Sequence, residues 1–371
     1  MHRESTEQTQ DALGLRAVHH LELFCGNAKQ SAYFYRSAFG FTLVGYRGPE
    51  TGVKGKVSYA LQQDRIRLIL TTPLVEDAII TPFLVKHGDG VRDVAFECPD
   101  ARAAYSETIA RGARSVAEPF TESDEHGSVT YATVATYGDT VHTFVDKSAY
   151  TGPFLPGFAP MAADTIARPV GLRYVDHVVG NVGWDEMDKT VKFYNDVFGF
   201  ARFVSFDDKD ISTEYSALRS TVVSNENKWI KFPINEPAEG KKKSQIEEYV
   251  QFNNGPGVQH IAMITDDIVD TITRMRAQGV EFLDTPSSYY SGLLDRVGPI
   301  DEDIAKLAPL GILVDRDDKG YMLQLFTKPV EDRPTLFIEI IQRKGGESFG
   351  KGNFKALFES IEREQDRRGN L

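Results

Sequence analysis

Residues 255–267 read GPGVQHIAMITDD, and residues 88–100 read GDGVRDVAFECPD. Both set two glycines around one residue, then a valine, an alternating run and an aspartate. At one position the copies differ in kind: His260 stands where the earlier copy has Asp93. The likeness runs without gaps from 88–119 onto 255–286, an offset of 167 residues. In each copy the alternation predicts a strand, and the residues after it predict an amphipathic helix. The helix is DARAAYSETIARG in the first and DDIVDTITRMRAQG in the second, with aspartate at the start and Gly112 or Gly279 at the stop.

A second pair precedes each copy. HHLELFCGN (19–27) leads into YFYRSAFGF (33–41), and DHVVGNV (176–182) leads into KFYNDVFGF (192–200). Each of the resulting four units opens strand–helix–strand and continues in β-like runs, such as KVSYALQQDRIRLILTT, SVTYATVATYGDTVHTFVD, STVVSNENKWIKFPI and RPTLFIEIIQR. A unit of one helix and a few strands cannot close a core alone, but two units can. The predicted fold is α+β, in two domains of two units each, over 15–150 and 171–350. Residues 1–14 read as a disordered tip and the Pro/Gly-rich 151–170 as a linker. Residues 351–371 read as a separate helix.

Composition sets the bounds. The chain has 371 residues, 41% hydrophobic and 26% charged, which is ordinary for a globular protein of two or three domains. A formal net charge of −12 argues against nucleic acid and anionic membrane as partners. The sequence has no apolar run long enough for a membrane span and no secretory signal at its start. Two cysteines, Cys25 and Cys98, give neither a disulfide framework nor a zinc spacing, which fits a cytoplasmic protein.

Of eight histidines, only His177 and His260 follow His142, each in the first strand of its unit at corresponding places. A single strand histidine is ordinarily a satisfied core residue; a repeat-related pair points to a shared role. In PTLFIEIIQR (334–343), Phe337, Glu339 and Ile341 alternate with Leu336, Ile338 and Ile340, so both faces are apolar and the strand is expected to be buried on both sides. Glu339 is then a carboxylate in a core, where leaving it unpaired costs on the order of several kcal/mol. It must therefore be protonated or have a cation, either a buried Arg or Lys, or a metal. Two imidazoles and one carboxylate are the facial triad of non-heme Fe(II) oxygenases. Gln324 is a polar residue in another apolar strand, and Gln245 follows three lysines. Gln259 precedes His260, so strict alternation turns it away from a metal unless a bulge re-aims it.

These residues carry a resemblance. The four units resemble the vicinal oxygen chelate superfamily, built from paired βαβββ modules. The stretches VDHVVGNV, FPINEP, KKKSQI, GVQHIAM, LGILVDRDDKGYMLQLFTKP, DRPTLFIEIIQR and FGKGNFKALFESIE, covering most of 171–366, are similar to the 4-hydroxyphenylpyruvate dioxygenases. The resemblance implies an Fe(II) enzyme that takes 4-hydroxyphenylpyruvate and O2 and makes homogentisate and CO2, in tyrosine and phenylalanine catabolism. It implies iron ligands at His177, His260 and Glu339. It implies polar pocket residues at Ser220, Asn235, Gln245, Gln259 and Gln324, ring-holding aromatics at Phe326, Phe337, Phe349, Phe354 and Phe358, and neighbouring wall at Pro233 and Leu357. It also implies a homo-oligomer, dimer or tetramer.

The first domain reads as a scaffold or oligomer surface that has lost its site. His20 survives alone, Asp93 replaces the second histidine, and aligning DTVHTFVD with PTLFIEII puts Phe144 at the Glu339 position. In the tail, Phe354, Leu357, Phe358 and Ile361 form one helical stripe, with Asn353 as a cap and Gly350 and Gly352 as a hinge. The resemblance makes this helix a lid over the iron pocket. The rivals are a 4-hydroxymandelate synthase acting on the same substrate, an extradiol ring-cleaving dioxygenase, and a non-catalytic binding protein on the same fold. Pro233 and Asn235 in FPINEP, and the KGNFKALFE tail, resemble the ring-hydroxylating branch.

Overall fold

The computed structural model describes residues 13–206 and 217–370. Two mixed sheets, each curled into a half-barrel, carry the molecule. The first is built from β1 (Ala17–Phe24), β2 (Thr42–Arg47), β3 (Lys56–Gln63), β4 (Ile66–Pro73), β5 (Gly90–Glu97), β6 (Ser115–Asp124), β7 (Gly127–Ala135), β8 (Val141–Asp146) and the two-residue β9 (Ala159–Pro160). Its order is β6-β7-β8-β5-β1-β4-β3-β2-β9. The second uses β10 (Leu172–Asn181), β11 (Ala201–Phe206), β12 (Ala217–Ser224), β13 (Lys231–Ala238), β14 (Gly257–Thr265), β15 (Leu313–Arg316), β16 (Tyr321–Phe326) and β17 (Phe337–Lys344), in the order β11-β12-β13-β10-β14-β17-β16-β15. In each sheet two βαβββ modules meet along one antiparallel pair of first strands, β1 with β5 and β10 with β14.

The helices that the repeat predicted start and stop where its sequence signals lie. Asp100 caps Ala101–Ala110 by accepting from the Arg102 and Ala103 amides, and Asp267 caps Ile268–Ala277 by accepting from the Asp270 amide. Gly40 and Gly199, the glycines of the two Phe-Gly-Phe turns, end their helices with left-handed φ of 72° and 70°. Among the described residues no helix is long and apolar enough to cross a membrane.

The outward faces of both sheets share one core. Phe96 and His142 of the first domain pack against Phe198 and Phe232 of the second, and the His142 imidazole bonds the Tyr194 hydroxyl at 2.7 Å. The inward faces differ. Phe154 and Leu155, with Phe158 beside them, pack on Ala60, Ile69, Ala95 and Tyr131 and fill the first bowl. The segment 151–170 thus plugs its own domain: Asp164 also binds Arg36 (2.6 and 2.8 Å), and Ala159–Pro160 adds an edge strand. Of the tip at 1–14, residues 1–12 lie outside the described residues, and Leu13 is buried in the core.

Register corrects one expectation. Asp93 pairs with Val141 as His260 pairs with Phe337, and His20 pairs with Ala95 as His177 pairs with Ala262. The residue at the Glu339 position is therefore Thr143, not Phe144. A slip of one residue exchanges the faces of a strand, and Phe144 lies on the outward face, fully buried beside Phe198. Thr143 donates its amide (3.0 Å) and its hydroxyl to Asp93. Two of the three degenerate positions thus satisfy each other, and His20 has no carboxylate opposite it. Replacing His20 by Ala is expected to leave the metal content of the protein unchanged. Loss of a second equivalent of iron in that variant, measured by elemental analysis, would overturn the reading of this bowl as siteless.

Candidate active site

Three adjacent strands of the second sheet bring His177 (β10), His260 (β14) and Glu339 (β17) together. Register sets His177, Ala262 and Glu339 in one row across the sheet, with His260 two residues along. The Glu339 Oε2 lies 3.1 Å from His177 Nε2 and 3.4 Å from His260 Nε2. All three ligand atoms fall within 4.8 Å of one another.

Each imidazole is aimed by the residue before it. The β10–β14 ladder skips Asp176 and Gln259, so each is the extra residue of a bulge. Asp176 Oδ2 accepts from His177 Nδ1 at 2.8 Å, and Gln259 Oε1 lies 3.1 Å from His260 Nδ1. With Nδ1 engaged, each ring turns Nε2 to the carboxylate. The bulge that Gln259 needed to reach the site is present.

The electrostatics follow from burial and charge. Burial alone drives the Glu339 carboxyl up, but the two imidazoles, His177 first, outweigh it and hold the group down at about 2. Burial works against the protonated His177, yet the charges of Glu339 and Asp176 prevail and raise it. For His260 burial wins and the pKa falls. An ionised carboxylate and two imidazoles with Nε2 converging on one point form a nitrogen–nitrogen–oxygen donor set that fits a divalent transition metal.

Above the triad lies a cavity partly open to solvent. Ser220, Pro233, Asn235, Gln245, Gln259, Phe326, Phe337, Phe349, Phe354, Leu357 and Phe358 line it. Gln324 does not. It is buried on β16, packed where a Cβ on Gly350 would collide with its amide. The Phe337 ring stacks on His260 at 4.7 Å, and Phe349 meets His177 edge-on at 5.1 Å. Asn235 donates to Asn181 Oδ1 at 3.2 Å. Val179, Phe206, Leu218 and Val222 complete the wall. Sequence reasoning missed all four, although alternation from His177 and Ser220 points to Val179, Leu218 and Val222.

The roof is the helix Phe354–Arg367, and its entry corrects one expectation. Asn353 does not cap it with its side chain; its Oδ1 accepts from the buried Tyr289 hydroxyl at 2.6 Å. Gly350 and Gly352 are sites of close approach, against Gln324 and the Asp315 carboxylate, and Gly350 has a left-handed φ of 78°. At the far end Arg368 holds Glu248 with bonds of 3.0 and 2.8 Å, tying the roof to the helix Gln245–Phe252 that carries Gln245.

Residues 17–139 and 174–325 match the glyoxalase/bleomycin resistance protein/dioxygenase superfamily. The 4-hydroxyphenylpyruvate dioxygenase of Yarrowia lipolytica is 48% identical over 380 residues, covering 99% of this chain and 96% of that one. The enzyme of the same name from Danio rerio is 50% identical over 363 residues, covering 95% and 91%. Among solved structures, a mutant of 4-hydroxymandelate synthase from Streptomyces coelicolor superposes with a TM-score of 0.85 at 30% identity, covering 95% of this chain and all of that one. The chain belongs to the glyoxalase/bleomycin resistance protein/dioxygenase superfamily and, within it, to the 4-hydroxyphenylpyruvate dioxygenases.

Proposed function

We propose that this chain converts 4-hydroxyphenylpyruvate and O2 to homogentisate and CO2, with Fe(II) held by His177, His260 and Glu339. The observation that carries the site is a two-histidine, one-carboxylate set at the floor of a phenyl-walled cavity. A bound Fe(II) supplies open coordination positions for an α-keto acid and electrons for the reduction of O2. The chain's own groups do the rest. Asp176 and Gln259 hold the imidazoles in the ligating orientation. Phe326, Phe337, Phe349, Phe354 and Phe358 hold the substrate ring and exclude water, with Pro233 and Leu357 as wall. Ser220, Asn235, Gln245 and Gln259 offer neutral polar contacts for the phenol oxygen. No Arg or Lys lines the cavity among the described residues, which supports a bound metal as the counter-charge for the substrate carboxylate. Gln324 acts one step back, against Gly350 at the entry to the roof.

The assay supplies 4-hydroxyphenylpyruvate, Fe(II) and O2 and identifies the product by chromatography. Homogentisate and CO2 are expected, with one O2 consumed for each. 4-Hydroxymandelate as the main product would move the chain to the synthase branch, which the structural likeness at 30% identity keeps as the second reading. Turnover of catechols without a keto acid would move it to the extradiol enzymes. The same reading includes a homo-oligomer, for which Leu74, Val75, Ile79 and Val85 offer an exposed apolar stretch, and a cytoplasmic location, which the unpaired thiols Cys25 and Cys98 suit.

A further inference from the structure

The two bulge residues that aim the imidazoles are not equal. Gln259 is a neutral amide. Asp176 is a carboxylate only 2% exposed, bound by Arg343 through Nε (2.8 Å) and through a second guanidinium nitrogen (2.8 Å), with Lys231 Nζ at 3.6 Å. Arg343 comes from β17, the strand that carries Glu339. Its remaining nitrogen donates to the Gly346 (3.1 Å) and Ser348 (2.8 Å) carbonyls, and its guanidinium lies over the Phe349 ring at 5.6 Å. Phe349 in turn packs on His177. One ion pair therefore touches a ligand imidazole, the loop after β17 and a ring of the cavity wall.

Stability alone is a poor reason for such a pair, because a buried ion pair is commonly no better than apolar packing of the same volume. The molecule contains its own comparison. The first domain keeps the bulge, with the β1–β5 ladder skipping the residue before His20, but that residue is His19. Where the triad is lost, the carboxylate is lost with it.

We propose that Asp176 is the positioning residue for His177. A carboxylate can only accept, so the bond at 2.8 Å places the proton on Nδ1 and leaves the Nε2 lone pair free for a metal. The negative charge makes that imidazole a stronger donor than Gln259 makes His260. Arg343 keeps the carboxylate in place and ties it to the Phe349 loop, so metal seat and ring wall are set together. This inference rests on the metal reading above.

The test uses Co(II) as probe, in competition with a chromophoric chelator, on four proteins: the unsubstituted chain, Asp176→Asn, Asp176→Asn with Arg343→Gln, and His260→Ala. Thermal unfolding is recorded on each. Asp176→Asn keeps an acceptor for Nδ1 but strands the charges of Arg343 and, at longer range, Lys231, so it loses stability whatever its role; the double variant removes the closer, two-bonded cation. Co(II) affinity is expected to fall about ten- to a hundredfold in the single variant, and to stay down in the double variant while thermal stability recovers. Unsubstituted affinity in Asp176→Asn, or affinity that returns together with stability in the double variant, would reduce the pair to packing and overturn the proposal. If the single variant does not fold, the double variant decides by the same criterion. A chain whose Co(II) binding is indifferent to His260→Ala would instead sink the metal reading itself.

Discussion

His260→Ala is expected to fold and yet to retain less than about one-hundredth of the metal affinity and turnover of the unsubstituted protein. Loss of a mere outer partner of a metal ligand costs about 10–100-fold, and His260 is proposed as a ligand itself, so its removal is expected to cost more. The fold should survive because the imidazole opens onto a cavity already present and is stacked on one side only, on Phe337. A cost of about 1–3 kcal/mol is typical of such a truncation. The measurements are iron content after dialysis, turnover with saturating substrate, and near-ultraviolet circular dichroism. A folded variant with undiminished iron and activity would refute the triad.

A chain stopped after Gly350 is expected to keep its metal site and lose the coupling between CO2 release and homogentisate. All three proposed ligands precede the cut, and the ion pair of Asp176 with Arg343 is untouched by it. What goes is the roof: Phe354, Leu357 and Phe358 leave the cavity wall, and the bonds of Asn353 to Tyr289 and of Arg368 to Glu248 go with them. Water then reaches the reacting centre and the ring loses its hold. Misplacement by about 1 Å can cost about a hundredfold, so homogentisate formation should fall at least that far. CO2 and homogentisate measured on one sample, with iron content beside them, check this. Unchanged rate and coupling would remove the roof from the chemistry; loss of folding would make it packing alone.

The repeat was legible because strand alternation, helix stops and aspartate caps are local signals, and a two-fold copy doubles each of them. The triad was legible for a different reason. Glu339 sits in a strand apolar on both faces, and a carboxylate there demands a partner. The same argument, applied to YVDHVVG and IIQRK, would have found Asp176 and Arg343. Both are charged residues flanked by apolar runs within their strands, and they answer each other. Phe144 was misplaced because sequence alignment matches letters while the ladder matches faces, and one residue separates the two outcomes. Gln324 points at a glycine rather than the cavity. Asn353 has the right residue type and place for a cap, but the Tyr289 hydroxyl claims it. These last depend on contacts between segments far apart in sequence, which no local pattern records.

The aromatic seam of Phe96, His142, Tyr194, Phe198 and Phe232 has a thermodynamic consequence. A boundary between domains is a place where unfolding can pause only if few apolar contacts cross it. Here a single continuous core runs from Leu21 and Phe96 on one side to Ile234 and Ile338 on the other. Melting either half exposes the face of its neighbour, and neither half is worth keeping alone. The two halves are therefore expected to unfold together, seen as a single calorimetric transition. A destabilising change in the bowl without a site would then lower the temperature at which the other bowl loses its proposed ligands.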